Sequence, residues 1–75
     1  EFQNLDLKNR METYGMIILN FVNKYLMGKD KIYSNKITGM IIDPEVNDEN
    51  DLINLINNEE ELYDVMNQGL KLIKN

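Results

Sequence analysis

The stretch Lys36-Ile37-Thr38-Gly39-Met40-Ile41-Ile42-Asp43 is a short apolar segment with one glycine in its middle and a charge at each end. Its length suits a two-turn helix, and Ile37, Met40 and Ile41 fall at i, i+3, i+4, so one stripe faces a core. Ser34 or Asn35 stands in front as a candidate N-cap. Pro44 ends the helix, because the residue before a proline is pushed out of the helical region. Gly39 is unexpected there: a glycine inside a helix costs roughly 1 kcal/mol relative to alanine.

Working outward, Asp6 to Met27 reads as a long helix, with Met11, Tyr14, Ile18, Phe21 or Val22 and Tyr25 at three- and four-residue steps. Asn4 or Asp6 offers a cap at its start and Gly28 a stop at its end. Almost every residue from Gly15 to Val22 is apolar, and a helix apolar on more than one side needs two neighbours, or a neighbour and a ligand. Gly28 to Ser34 is polar and reads as a loop. After Pro44 the chain is acidic and aperiodic up to Asn50, a connector. Asp48 or Asn50 can then cap a short third helix holding Leu52, Ile53, Leu55 and Ile56. Asn58 with Glu61 makes a capping-box-like start for a fourth helix running to about Lys74, with Leu62, Val65, Met66, Gly69, Leu70 and Ile73 on its apolar face. Glu59 to Glu61 suit its positive end and Lys71 and Lys74 its negative end. No run alternates cleanly and no Asn-Gly or Asp-Gly turn appears, so strands are unsupported. The expected fold is all-α: a small domain of four to five helices in a superhelical or orthogonal arrangement. It is one domain over 1–75 with its core at about 6–74.

Composition removes several functions. With 75 residues the chain buries only about 60% of the surface its unfolded form exposes. There is no Cys and no His, so the usual zinc sets and the usual general base are missing. Ser34 is the only serine and has no His to activate it, so acyl transfer is not credible and no enzyme is expected. A net charge of −5 disfavours a phosphate backbone as partner and favours a positively charged peptide. The cluster Lys29, Lys31, Tyr33 and Lys36 reads as a solvated loop rather than an RNA contact. The acidic connector from Asp43 is no calcium loop, since Asp48 stands where glycine belongs and Asn54 where the terminal Glu belongs. No apolar run approaches the roughly 20 residues of a membrane span, and no signal-peptide pattern is visible.

Lys36-Ile37-Thr38-Gly39-Met40 resembles the signature of the MLLE domain, the C-terminal peptide-binding domain of poly(A)-binding proteins, also found in a HECT-type ubiquitin ligase. The family continues with Leu-Leu-Glu where this chain has Ile41, Ile42 and Asp43. The likeness extends over Met11 to Ile73, through Gly15 on the first helix, the paired aliphatics of the third, and Gly69, Leu70, Leu72 and Ile73 on the last. Leu19 replaces a family aromatic, and the loops before Ser34 and after Asp43 are longer than usual.

Gly15, Gly39 and Gly69 all fall inside expected helices, at a combined cost of about 3 kcal/mol. By the residues alone they serve either close helix packing or exposed ligand grooves. The resemblance implies grooves for short segments carrying an essential Phe and an essential Leu. The Phe would be lined by Gly15, Met16, Leu19, Lys36, Thr38 and Gly39, and the Leu by Met40, Ile41, Gly69, Leu70 and Ile73. Met16 and Met40 suit pliable walls but equally ordinary core, and Lys36 either covers a ring or is solvated.

The implied role is a non-catalytic, cytoplasmic, monomeric adaptor. It would form the C-terminal part of a poly(A)-binding protein and recruit translation and mRNA-decay factors through linear motifs in their disordered regions. No cofactor, metal, membrane or direct nucleic-acid contact is implied. The alternatives are the same module in a ubiquitin ligase, or a structural domain that self-associates through its Gly39 and Gly69 faces.

Overall fold

The computed structural model describes residues 2–74, with side chains from Leu7 onward. Four α-helices and a 3-10 helix follow one another, and no strand occurs among the described residues. They are α1 (Phe2–Tyr25), the 3-10 helix (Gly28–Tyr33), α2 (Ser34–Ile41), α3 (Glu49–Ile56) and α4 (Glu59–Lys74). The all-α architecture is the one the apolar periodicities imply.

The core is aliphatic. Ile18, Val22 and Leu26 from α1 and its end meet Ile37 and Ile41 of α2, Leu52 and Leu55 of α3, and Leu62 and Met66 of α4. Burial of each such side chain is worth roughly 1.5–3 kcal/mol against exposure. Short α2 packs against both α1 and α4, and α3 closes the other side by touching the same two helices. This placement leaves a furrow on each flank of α2.

Local chemistry sets the boundaries, and both ends of the long helix differ from expectation. The long helix begins at Phe2, ahead of either expected cap, and the side chains of Asn4 and Asp6 lie outside the described residues. It stops at Tyr25 rather than Met27: Met27 is extended, and Gly28 takes a φ of 55°, which a β-carbon would disfavour.

The expected loop after Gly28 is instead the 3-10 helix, and it changes how α2 starts. Ser34 is already helical, at φ −55° and ψ −48°, and its N–H donates to the Lys31 carbonyl. Continuous turns thus supply partners that a side-chain cap would have provided. Neither Ser34 nor Asn35 caps α2; Tyr33 holds that position without a side-chain bond. Ser34 is instead buried with its hydroxyl unpartnered. An orphaned buried hydroxyl is destabilising, so Ser34→Ala is expected to add about 1 kcal/mol, a rise of about 4–8 °C in melting temperature by circular dichroism. A fall would mean that the hydroxyl has a partner in solution.

The later boundaries follow the sequence closely. α2 ends at Ile41, with Ile42 donating back to the Thr38 carbonyl and the Asn47 amide donating to the Ile41 carbonyl at 2.7 Å. Asp48 caps α3 in a reciprocal capping box with Asp51. The Asn58 side chain accepts the Glu61 N–H at 3.2 Å to start α4.

Candidate functional site

Two apolar grooves flank α2. The one between α1 and α2, of about 560 Å³, is lined by Met11, Glu12, Gly15, Met16, Leu19, Thr38 and Ile42. The one between α2 and α4, of about 280 Å³, is lined chiefly by Ile37, Met40, Ile41, Val65, Gly69 and Leu72, with Gln68 on α4. Asp43, Val46 and Asn47 of the connector form its far wall. Neither groove is filled by the chain's own side chains: Met16 is 65% exposed at the first and Leu72 69% at the second.

The structure brings Gly15, Met16, Leu19 and Thr38 together in the larger groove, and Met40, Ile41 and Gly69 in the smaller. Lys36 and Gly39 line neither; both are exposed. At 100° per residue they fall on the face of α2 between Thr38 and Met40, a ridge that separates the grooves. Leu70 and Ile73 pack against the core instead of lining the smaller groove. The reason is rotational. Val65 and Leu72, at i−4 and i+3 from Gly69, lie to one side of it, while Leu70 and Ile73 are turned to the other.

Met11 and Ile42 line the larger groove as well, each four residues from a residue that the resemblance implies there, Gly15 and Thr38. No sequence signal points to Val46 and Asn47, whose positions depend on the path of the connector.

The three helical glycines differ from what tight packing demands. A β-carbon at Gly39 would meet nothing within 4 Å. One at Gly15 would touch Ile42 Cδ1 at 3.5 Å, and one at Gly69 would touch Ile37 Cγ2 at 3.7 Å, both ordinary contacts. Helix packing within the domain therefore requires none of them.

A polar basin of about 500 Å³ between α3 and α4 adjoins the smaller groove through Asn47 and Val65. Asn47, Asp51 and Asn58 in it already serve helix ends.

An ion pair fixes α1 beside the larger groove. Glu49, the first residue of α3, accepts from Arg10 Nε at 2.6 Å, from Arg10 Nη2 at 3.3 Å and from the Tyr14 hydroxyl at 2.9 Å. The Arg10 bond and then the Tyr14 bond hold the Glu49 carboxyl below the usual carboxylate range, against some desolvation. The bond to Glu49, aided by desolvation, raises the Tyr14 phenol. What Glu49 contributes to stability is complete above the ordinary carboxylate pKa and lost as pH falls through its lowered value. What Tyr14 contributes is complete below the ordinary phenol pKa and lost as pH rises through its raised one. Glu49→Gln is therefore expected to flatten the fall of melting temperature below about pH 5. Melts from about pH 3 to 7 read this directly, and an unchanged acid limb would show that the clamp contributes nothing.

An all-α module with two apolar furrows either side of a short helix has the form of a peptide-docking domain. The family model for the MLLE domain matches residues 1–73, and the chain belongs to that family. The MLLE domain is a non-catalytic, peptide-binding interaction module of the type carried by poly(A)-binding proteins. Neither a curated protein nor a solved structure matches the chain. Among the described residues no helix is long and apolar enough to cross a membrane.

Proposed function

We propose that this chain, as one domain over 1–75, docks short extended segments through two anchors. A phenylalanine enters the groove between α1 and α2, and a leucine the groove between α2 and α4. The observation that carries this reading is the pair of open apolar grooves on either side of a ridge that has no β-carbon at Gly39. A chain passing from one groove to the other crosses that ridge, and bare backbone lets it lie close. The larger groove suits the larger anchor, and Leu19, where the family has an aromatic, leaves it roomy.

Burial of each anchor yields roughly 1.5–3 kcal/mol before ordering costs, so one alone gives little affinity and both are needed. Partners are disordered segments that lose entropy on binding, which puts association in the micromolar range. The net charge of −5 favours segments of net positive charge. In the cell the domain serves a cytoplasmic poly(A)-binding protein as a monomeric adaptor for translation and mRNA-decay factors. RNA binding is left to other parts of that protein.

The test is an NMR titration with a peptide of about 12 residues carrying both anchors, beside versions with Phe or Leu changed to Ala. Shifts are expected at Gly15, at Thr38 to Met40 and at Gly69, and should vanish with either altered peptide. Shifts confined to the connector, or indifferent to both changes, would overturn the assignment. Sedimentation across concentration separates this reading from self-association through the Gly39 and Gly69 faces, which requires a dimer.

A further inference from the structure

A further concave surface lies away from both grooves. Phe21 and Tyr25 of α1 and Glu59, Glu60 and Tyr63 of α4 line a notch of about 330 Å³. None of the five lines either groove. On α1, the steps from Leu19 to Phe21 and to Tyr25 turn the side chain by about 200° and 240°, so the notch and the larger groove can be occupied together.

The chain has six aromatic residues, four Tyr and two Phe, and three of them meet here: Phe21 packs against the edge of the aliphatic core, while Tyr25 and Tyr63 stand apart from it. The Tyr25 ring centroid is 4.6 Å from that of Phe21, tilted by 44°, and 5.8 Å from that of Tyr63 at 78°. Two ring walls thus stand almost at right angles. Tyr25 and Tyr63 are 36% and 45% exposed, so the walls remain open to solvent. Ring faces carry the negative side of the aromatic quadrupole, and Glu59 and Glu60 add full negative charges. Among the described residues neither carboxylate is ion-paired.

The chemistry matching this surface is an alkylammonium group. The chain supplies an internal precedent: the Lys24 ammonium lies 5.3 Å from the Tyr25 ring centroid, although Lys24 does not line the notch. We propose that the notch binds the ammonium of a lysine side chain, free or N-methylated, presented by a partner segment. This does not depend on the peptide-docking reading, because the two sites share no residue.

The test titrates the ¹⁵N-labelled chain with Ac-Gly-Lys-Gly-NH2, its trimethyl-lysine form, and a form with norleucine in place of lysine. Shifts are expected at Phe21, Tyr25 and Tyr63 with both cationic peptides, at dissociation constants on the order of millimolar, and none with norleucine. The order of the two cations then identifies which form is preferred. Tyr63→Ala should weaken binding about threefold to tenfold. The pair Glu59→Gln and Glu60→Gln should weaken it and flatten its salt dependence. Lys24→Gln, by removing a like charge, should tighten it about twofold. Equal shifts with norleucine would make the notch an apolar contact, and no shifts with either cation would leave it without this ligand; each result overturns the proposal.

Discussion

Alanine at Gly15, Gly39 and Gly69 together is expected to raise the melting temperature by about 8–24 °C and to weaken docking of a Phe- and Leu-anchored peptide by at least about 30-fold. The stability gain follows from helix propensity: each replacement is worth roughly 0.8–1 kcal/mol, and a methyl group has room at all three positions. A folded chain of this length has only about 4–11 kcal/mol in hand, so a gain of about 2–3 kcal/mol is large. The binding loss has a different origin. Methyl groups at Gly15 and Gly69 occupy groove floor, and one at Gly39 lifts a crossing chain off the ridge. Thermal melts and calorimetric titration read the two effects separately. A lower melting temperature would show that the glycines serve close helix packing. A higher one with affinity unchanged would place the docking surface elsewhere.

Much of the fold is legible in the residues themselves. The i, i+3, i+4 steps of α2 and α4, the Asp48 and Asn58 caps and the helical glycines are local signals, and local signals survive folding. What stayed hidden depends on distant contacts. Ser34 looked like a cap because serine favours that position, yet the 3-10 turns ahead of it made a cap unnecessary. Gly28 to Tyr33 looked like a loop because its residues are polar, and composition alone cannot separate a polar 3-10 helix from irregular chain. The family resemblance puts Leu70 and Ile73 on the leucine groove, but the rotation of α4 decides which edge of its apolar stripe faces the core. The contact of Arg10 and Tyr14 with Glu49 spans 39 and 35 residues, and no periodicity signals it.

Ile37→Ala and Ile42→Ala, five residues apart on one short segment, are expected to fail differently, the first chiefly in stability and the second chiefly in affinity. Ile37 is fully buried and stands beneath Gly69, with its Cγ2 at 3.7 Å from where a β-carbon there would lie. Its truncation removes buried methyl groups and leaves a cavity where α2 meets α4, at a cost of about 2–5 kcal/mol. At about 4–8 °C per kcal/mol, the melting temperature falls by at least about 8 °C, and the larger end of the range unfolds much of the population at 37 °C. Ile42 is half-buried at the mouth of the larger groove, so truncation there costs stability only about 1 kcal/mol. It does remove the wall facing Gly15 and Met16, and affinity for the phenylalanine-anchored peptide should fall about tenfold while the fold persists. Urea denaturation gives the stabilities, and titration at a temperature where both variants are folded gives the affinities. Equal destabilisation would mean that the segment has no division between a core-facing and a groove-facing side. A loss of affinity confined to Ile37→Ala would mean that the phenylalanine does not enter between α1 and α2.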